Sequence, residues 1–233
     1  MPRAACIGHG AHSNRRSIVT LSLCLVLRNA LPQLQKILNH TEDIVDEVVV
    51  FDQSSDDGTE DFCRGLPNCI YVKTSRKNLA DLDRYDCYMM ATGNIVLALD
   101  WDELPDERLM KYIAEQKKQP EYEVWWIPFR NFVKHKNRKH DISNILGRDW
   151  HPRMWLNDQS RPPVIVWPKV AHTFPNINTP RWIFLERGHI IHERTLEQIK
   201  KTSEDRRKVI DPANQQKELN FIEAVERTVG TKK

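Results

Sequence analysis

The sequence predicts an α/β fold: a mostly parallel central sheet with helices on both faces. Two observations carry this. Over residues 17–120, short apolar runs rich in branched residues alternate with amphipathic segments, the pattern of strands buried on both faces and joined through helices. The connections are short, and two of the apolar runs end in an aspartate.

In order, SIVTLSLCLVL (17–27) reads as a buried strand. NALPQLQKILNH (29–40) places Leu31, Leu34, Ile37 and Leu38 at helical spacing. IVDEVVVFD (44–52) is a second buried strand ending in Asp52. SSDDGTEDFCRGL (54–66) holds turn formers and then a short helix with an acidic first turn. CIYVK (69–73) is a third strand, and ADLDRYDCYMMATG (80–93) is a helix stopped by Gly93. NIVLALD (94–100) is a fourth strand, and Pro105 opens the next helix. After residue 120 the pattern changes. YEVWWIPFRNFV and RPPVIVWP are strand-like, and the tail from Thr195 to Val229 is charged with helical spacing. The chain therefore divides into a loose arm (1–16) and one domain (17–233). That domain comprises a nucleotide-binding half (17–120), a half that completes a site (121–194) and a helical tail (195–233).

Composition narrows the function classes. The chain has 233 residues, 40% hydrophobic and 29% charged, which suits a globular protein with a sizeable core. A net charge of +3 does not by itself imply nucleic-acid binding. Five scattered cysteines without a CxxC pair argue for a reducing compartment. The apolar run LSLCLVL is too short to span a membrane, and no cleavage pattern follows it. A cytoplasmic protein is expected.

The chemistry concentrates in LALDWDELP (97–105), where a buried strand ends in Asp100, Asp102 and Glu103. In open parallel sheets ligands bind beyond the carboxyl ends of the strands, so Asp52 and Asp100 should point into that crevice. Clustered carboxylate oxygens suit hard cations such as Mg²⁺ or Mn²⁺, which keep positions open for phosphate. An acidic turn ahead of a helix explains the same tripeptide without a ligand.

The wider context resembles family 2 glycosyltransferases of the GT-A fold. VVVFDQSSDDGT (48–59) is similar to that family's strand–Asp–S-x-D-G-T segment, through Asp52, Ser55, Asp57, Gly58 and Thr59. ATGNIVLALDWDE (91–103) is similar to its A-T-G-D-(apolar)-L-D-A-D-E segment, through Ala91, Thr92, Gly93, Leu99, Asp100, Asp102 and Glu103. Arg84 stands where the family often has an arginine, LSLCLVLRNA resembles the usual opening strand ending in K-N-E, and HPRMW (151–155) is similar to a piece of the bacterial branch. The resemblance implies a metal-dependent inverting transfer from a nucleotide-diphosphate sugar, UDP-linked in the first instance, to a hydroxyl acceptor. Asn29, Asp52, Arg84, Asp100 and Trp101 would bind the donor, and Asp100 would also face the metal. Asp102 would be the principal ligand of Mn²⁺ or Mg²⁺. Ala30, Gln53 and Trp101 depart from the family pattern. Trp101 either shapes the sugar pocket or packs on the sheet.

GT-A enzymes often add a histidine ligand late in the core. RGHIIHERT offers His189 and His192 on opposite faces of a strand; His192 is the choice and His172 a weaker candidate. Inversion needs a general base. Asp149, flanked by Trp150, His151 and Arg153, is the choice, with Asp158 and Glu193 as rivals. FVKHKNRKHD (132–141) gathers Lys134, Lys136, Arg138 and Lys139 with His135 and His140. It reads either as a grip for an anionic acceptor, nucleic acid included, or as a solvated loop. Cys6, His9 and His12 are too few for zinc. Two alternatives share this outline. A sugar-nucleotide nucleotidyltransferase would need a glycine-rich loop where this chain has LRNALPQ, and a non-catalytic nucleotide- or nucleic-acid-binding module would keep the fold alone.

Overall fold

The computed structural model describes residues 19–76, 80–147, 149–161, 164–166, 174–208 and 212–231. The arm 1–16, with Cys6, His9 and His12, lies outside the described residues, as does His172. The first half runs β1 (Leu21–Leu27), α1 (Leu31–Thr41), β2 (Glu47–Asp52), α2 (Thr59–Arg64), β3 (Cys69–Lys73), α3 (Ala80–Met90), β4 (Ile95–Asp100), β5 (Glu103–Pro105) and α4 (Glu107–Lys118). The second half runs β6 (Val124–His135), β7 (Arg138–Asp141), α5 (Ser143–Leu146), β8 (Trp150–Leu156), β9 (Val164–Val166), β10 (Phe174–Asn176), β11 (Trp182–Phe184), β12 (Ile190–Thr195), α6 (Leu196–Arg207) and α7 (Pro212–Val229).

One sheet takes strands from both halves, in the order β3-β2-β1-β4-β8-β6-β12-β5, with β11 and β7 also on β6. Strands β1 to β4 are parallel. The sheet turns mixed at β8, which runs antiparallel to both β4 and β6. The continuous apolar runs follow from two covered faces. Leu21, Leu23, Leu25, Val48, Val50, Ile95 and Leu97 pack with Leu34 and Ile37 of α1 and Leu109 and Ile113 of α4. The alternating residues Cys24, Val26, Val49, Phe51, Val96 and Ala98 pack with Cys87 and Tyr88 of α3. The tail docks separately, through Leu196, Ile199 and Val225 against Val133 and Ile142.

Two boundaries differ from the sequence reading. Pro105 ends β5, whose pairing with β12 is not visible in the sequence. Asp106 is the true cap of α4, accepting from the Leu109 N–H at 2.8 Å. Gly93 does not stop α3, which ends at Met90. It is needed for close approach, because a Cβ there would lie 2.6 Å from Ser22 Oγ and 2.9 Å from Ser22 N. The Thr92 N–H and hydroxyl both donate to Glu47, at 2.8 and 2.5 Å. The ATGN segment thus clamps the amino ends of the strands, away from their carboxyl ends.

Candidate active site

The carboxyl ends of β1 and β2 are stitched together by the SSDDGT loop. The Asn29 N–H donates to Ser55 Oγ at 2.8 Å, and Asn29 Oδ1 accepts from the Asp56 N–H at 3.0 Å. Asp57 accepts from the Leu31 N–H at the start of α1 and from Thr59. Asn29 itself is exposed, with a positive φ of 50°, a conformation asparagine tolerates better than most residues. Asp52 is placed differently from expectation. It has no exposed surface, and both its oxygens are occupied: Ser55 donates to Oδ1 at 2.5 Å and the Tyr71 hydroxyl to Oδ2 at 2.6 Å. Here it shapes the loop rather than presenting a free carboxylate. Gln53, the unexpected large residue, donates to Asp83 on α3 at 2.7 Å. That bond fixes the helix turn carrying Arg84.

The acids ending β4 are neutralised in different ways. Arg84 meets Asp100 Oδ1 at 2.5 Å, and Arg153 meets Asp100 Oδ2 at 3.0 Å and Glu103 Oε1 at 2.5 Å. Arg153 reaches them through a β-bulge: Trp125 pairs with Met154 and Trp126 with Pro152, leaving Arg153 as the extra residue. Burial favours the neutral form of Asp100, but the two guanidiniums hold its carboxyl well below the usual range. Glu103, 2% exposed, is pushed up to about 8 by burial and by Asp100 and Asp102, against the pull of Arg153. In this structure both oxygens of Asp100 pair with arginines.

Asp102 instead meets His192, with Oδ2 and Nε2 3.0 Å apart. His192 Nδ1 lies 3.0 Å from Asn131 Oδ1, and Asn131 Nδ2 donates to Asp149 Oδ2 at 3.0 Å. His151 Nε2 closes the chain on Asp149 Oδ1 at 2.7 Å. Asn131 is 2% exposed, and both ends of its amide are used. Its oxygen must accept from His192, which puts a proton on Nδ1 and turns Nε2 toward Asp102. Burial raises Asp149, but the hydrogen bonds from His151 and Asn131 bring its carboxyl below the ordinary value.

The remaining candidates separate clearly. His189 lies 3.3 Å from Asp106 at the start of α4, away from Asp102. Asp158 is a turn residue bonded to Ser160 and Arg161, with its carboxyl lowered to about 2. Glu193 is clamped by Lys134 and by Lys139, the latter at 2.6 Å. Trp101 has two neighbourhoods. It packs against the core and lines a cavity of about 660 Å³ with Asp102, His40, Leu104, Ile191 and Glu193. The basic segment is an ordered hairpin of β6 and β7 rather than a loop. Asn131 was missed by sequence reasoning; its only signal was a polar residue at an inward position of an apolar strand.

The pair Asp102–His192 could hold a divalent cation in place of the proton shared at their 3.0 Å contact, with the Nδ1 proton kept toward Asn131. Among the described residues no group of three or more His, Cys, Asp or Glu side chains is gathered for a metal. Two protein donors leave positions open for phosphate and water, as Mg²⁺ and Mn²⁺ sites for phosphate substrates do.

The fold is that of a GT-A-type glycosyltransferase. The chain belongs to glycosyl transferase family 2, whose model matches residues 22–182. Its fold is similar to that of TarS from S. aureus. Residues 1–349 of that protein superpose with a TM-score of 0.51 at 16% identity, covering 87% of this chain and 70% of that one. A longer TarS structure gives 0.47 at 15% identity, over 87% of this chain and 42% of that one. The 1–349 structure in complex with UDP-GlcNAc gives 0.39 at 20% identity, over 51% and 36%. A comparison with curated proteins finds no sequence match.

Proposed function

We propose that the protein moves a sugar from a nucleotide-diphosphate donor, UDP-linked in the first instance, to a hydroxyl acceptor with inversion at the anomeric carbon. The observation that carries this reading is the continuous chain Asp102–His192–Asn131–Asp149. It ties a candidate metal pair to a candidate base through one buried amide.

Asp102 and His192 would hold Mn²⁺ or Mg²⁺, which when bound neutralises the diphosphate and stabilises it as a leaving group. The acceptor oxygen attacks the anomeric carbon while the bond from that carbon to the diphosphate breaks. The hydroxyl proton passes to a carboxylate. Asp149 is the candidate because the Asn131 amide links it to His192 and Asp102; its lowered carboxyl keeps it ionised at neutral pH but also lowers its proton affinity. Asn131 and His151 keep it oriented. Asp158 caps a turn and Glu193 pairs with two lysines; Asp149 also has both oxygens engaged, and what favours it is its link to His192 and Asp102 through Asn131. Asn29 and the stitched loop would bound the nucleoside, with Asp52 acting from beneath through Ser55. Trp101 forms a wall of the cavity next to Asp102 and would limit which sugar or acceptor enters. We place the protein in the cytoplasm, in keeping with free Cys24, Cys63, Cys69 and Cys87. Among the described residues no helix is long and apolar enough to cross a membrane.

The test is release of UDP from a panel of UDP-sugars, with and without EDTA. The expected result is EDTA-sensitive turnover that Asp102→Asn abolishes. Turnover indifferent to both would refute the metal role.

A further inference from the structure

The β6–β7 hairpin carries charge that packing alone does not explain. Lys134 faces Lys139 across the strands, and His135 faces Arg138. Like charges directly opposite one another destabilise a pair of strands. The hairpin turns through Lys136 and Asn137, with φ of 46° and 61°, so a lysine is held in the left-handed region that L side chains disfavour. Glu193 takes up Lys134 and Lys139 with its two oxygens, and Lys139 also lies 4.1 Å from the Phe132 ring centroid. Lys136 and Arg138 are exposed and have no acidic partner among the described residues.

These side chains line a cleft of about 500 Å³ with His135, Thr195 and Glu197. Lys134, Lys139 and Thr195 line this cleft and also the cavity that holds Trp101 and Asp102. The two spaces are therefore neighbours with a common wall.

We propose that this cleft binds a phosphate group on the acceptor, remote from the hydroxyl that receives the sugar. The proposal rests on the transferase reading above. The charge balance favours a single phosphate. Four cations stand against Glu193 and Glu197, leaving about two positive charges, the match for one phosphate dianion. Backbone binding of a nucleic-acid duplex gains its affinity from many phosphate contacts, about six to ten in a strongly salt-dependent binder, more than one hairpin supplies. The site is concave and adjoins the cavity, which suits a molecule extending from Asp102 past Lys134 rather than a flat lipid surface.

The test is amide NMR of the whole chain titrated with glycerol 3-phosphate, with glycerol as the neutral control, in the wild type and in the double variant Lys136→Ala, Arg138→Ala. Expected are shifts at residues 134–139 with glycerol 3-phosphate and none with glycerol. Binding should weaken about tenfold in the variant, and it should weaken as salt rises from about 50 to about 200 mM. Manganese-dependent UDP binding should be equal in both proteins. Unshifted hairpin amides, or equal shifts in the variant, would overturn the proposal. So would hairpin broadening by phosphatidylglycerol vesicles without a response to glycerol 3-phosphate. Hairpin shifts in a wild type that binds no UDP would instead overturn the transferase reading, leaving an anion site with no acceptor role.

Discussion

Replacing Arg153 with methionine keeps much of the side-chain volume and removes one charge from the end of β4. Arg153 is the guanidinium shared by Asp100, at 3.0 Å, and Glu103, at 2.5 Å. Without it, among the described residues, Arg84 alone faces Asp100, and Glu103, 2% exposed, keeps the Asp100 N–H at 2.9 Å. Removing one partner of a buried pair costs about 3–5 kcal/mol. Asp100 is partly open to water, so the low end, about 3 kcal/mol, applies; for a chain of this size that is a fall in Tm of roughly 10 °C. The loss should also depend on pH, with a definite sign. Glu103 has a folded-state pKa of about 8, above its unfolded value, so its contribution is full at acid pH and declines until pH passes about 8. In Arg153→Met the folded value rises further, so the decline continues beyond that point. The deficit should therefore grow by up to about 1.4 kcal/mol per pH unit above about pH 8. Thermal unfolding followed by circular dichroism at about pH 6 and about pH 9 reads both effects. An unchanged Tm, or a deficit that shrinks as pH rises, would refute the shared-guanidinium reasoning.

Two further outcomes are expected. Asp149→Asn should lower kcat by about 10²–10⁴-fold while leaving UDP affinity unchanged, as initial rates and calorimetry would show; a parallel loss of UDP binding would make Asp149 structural. Tyr71→Phe removes the hydroxyl that donates to Asp52 Oδ2 at 2.6 Å. It should cost about 1–3 kcal/mol in urea unfolding, because a buried carboxylate oxygen loses its donor; a variant as stable as the wild type would show that Asp52 finds another partner.

The first half of the fold was legible because its signals are local. Strands covered on both faces are written as continuous apolar runs, as in LSLCLVL and EVVVFD, and α1 shows its buried stripe at Leu34 and Ile37. The pairing of His192 with Asp102 could be anticipated through the family resemblance, which implies an acidic ligand after β4 and a histidine late in the core; the apolar step ahead of the charged tail selects His192 over His189. Other features are set by long-range pairing and leave no local trace. The bulge that aims Arg153 depends on the register between β6 and β8, and β5 exists through β12. Asn131 joins His192 to Asp149 across separations of 61 and 18 residues. Motif letters also leave the surroundings of their residues unspecified at two places. Asp52 and Asp100 stand at the strand ends where the pattern puts them, yet Ser55, Tyr71, Arg84 and Arg153 consume their oxygens. The conspicuous ATGN belongs to the opposite end of the sheet, where Gly93 crowds Ser22.

Titration calorimetry of UDP into the wild type, Asp102→Asn and His192→Ala, each with and without Mn²⁺, tests the metal–diphosphate site most directly. Wild-type affinity should rise at least about tenfold with the metal, the equivalent of about 1.4 kcal/mol, and either substitution should erase that gain while leaving the metal-free affinity in place. UDP binding that is indifferent to Mn²⁺ in the wild type, or a gain that survives both substitutions, would contradict the assignment of Asp102 and His192 as the cation's protein ligands.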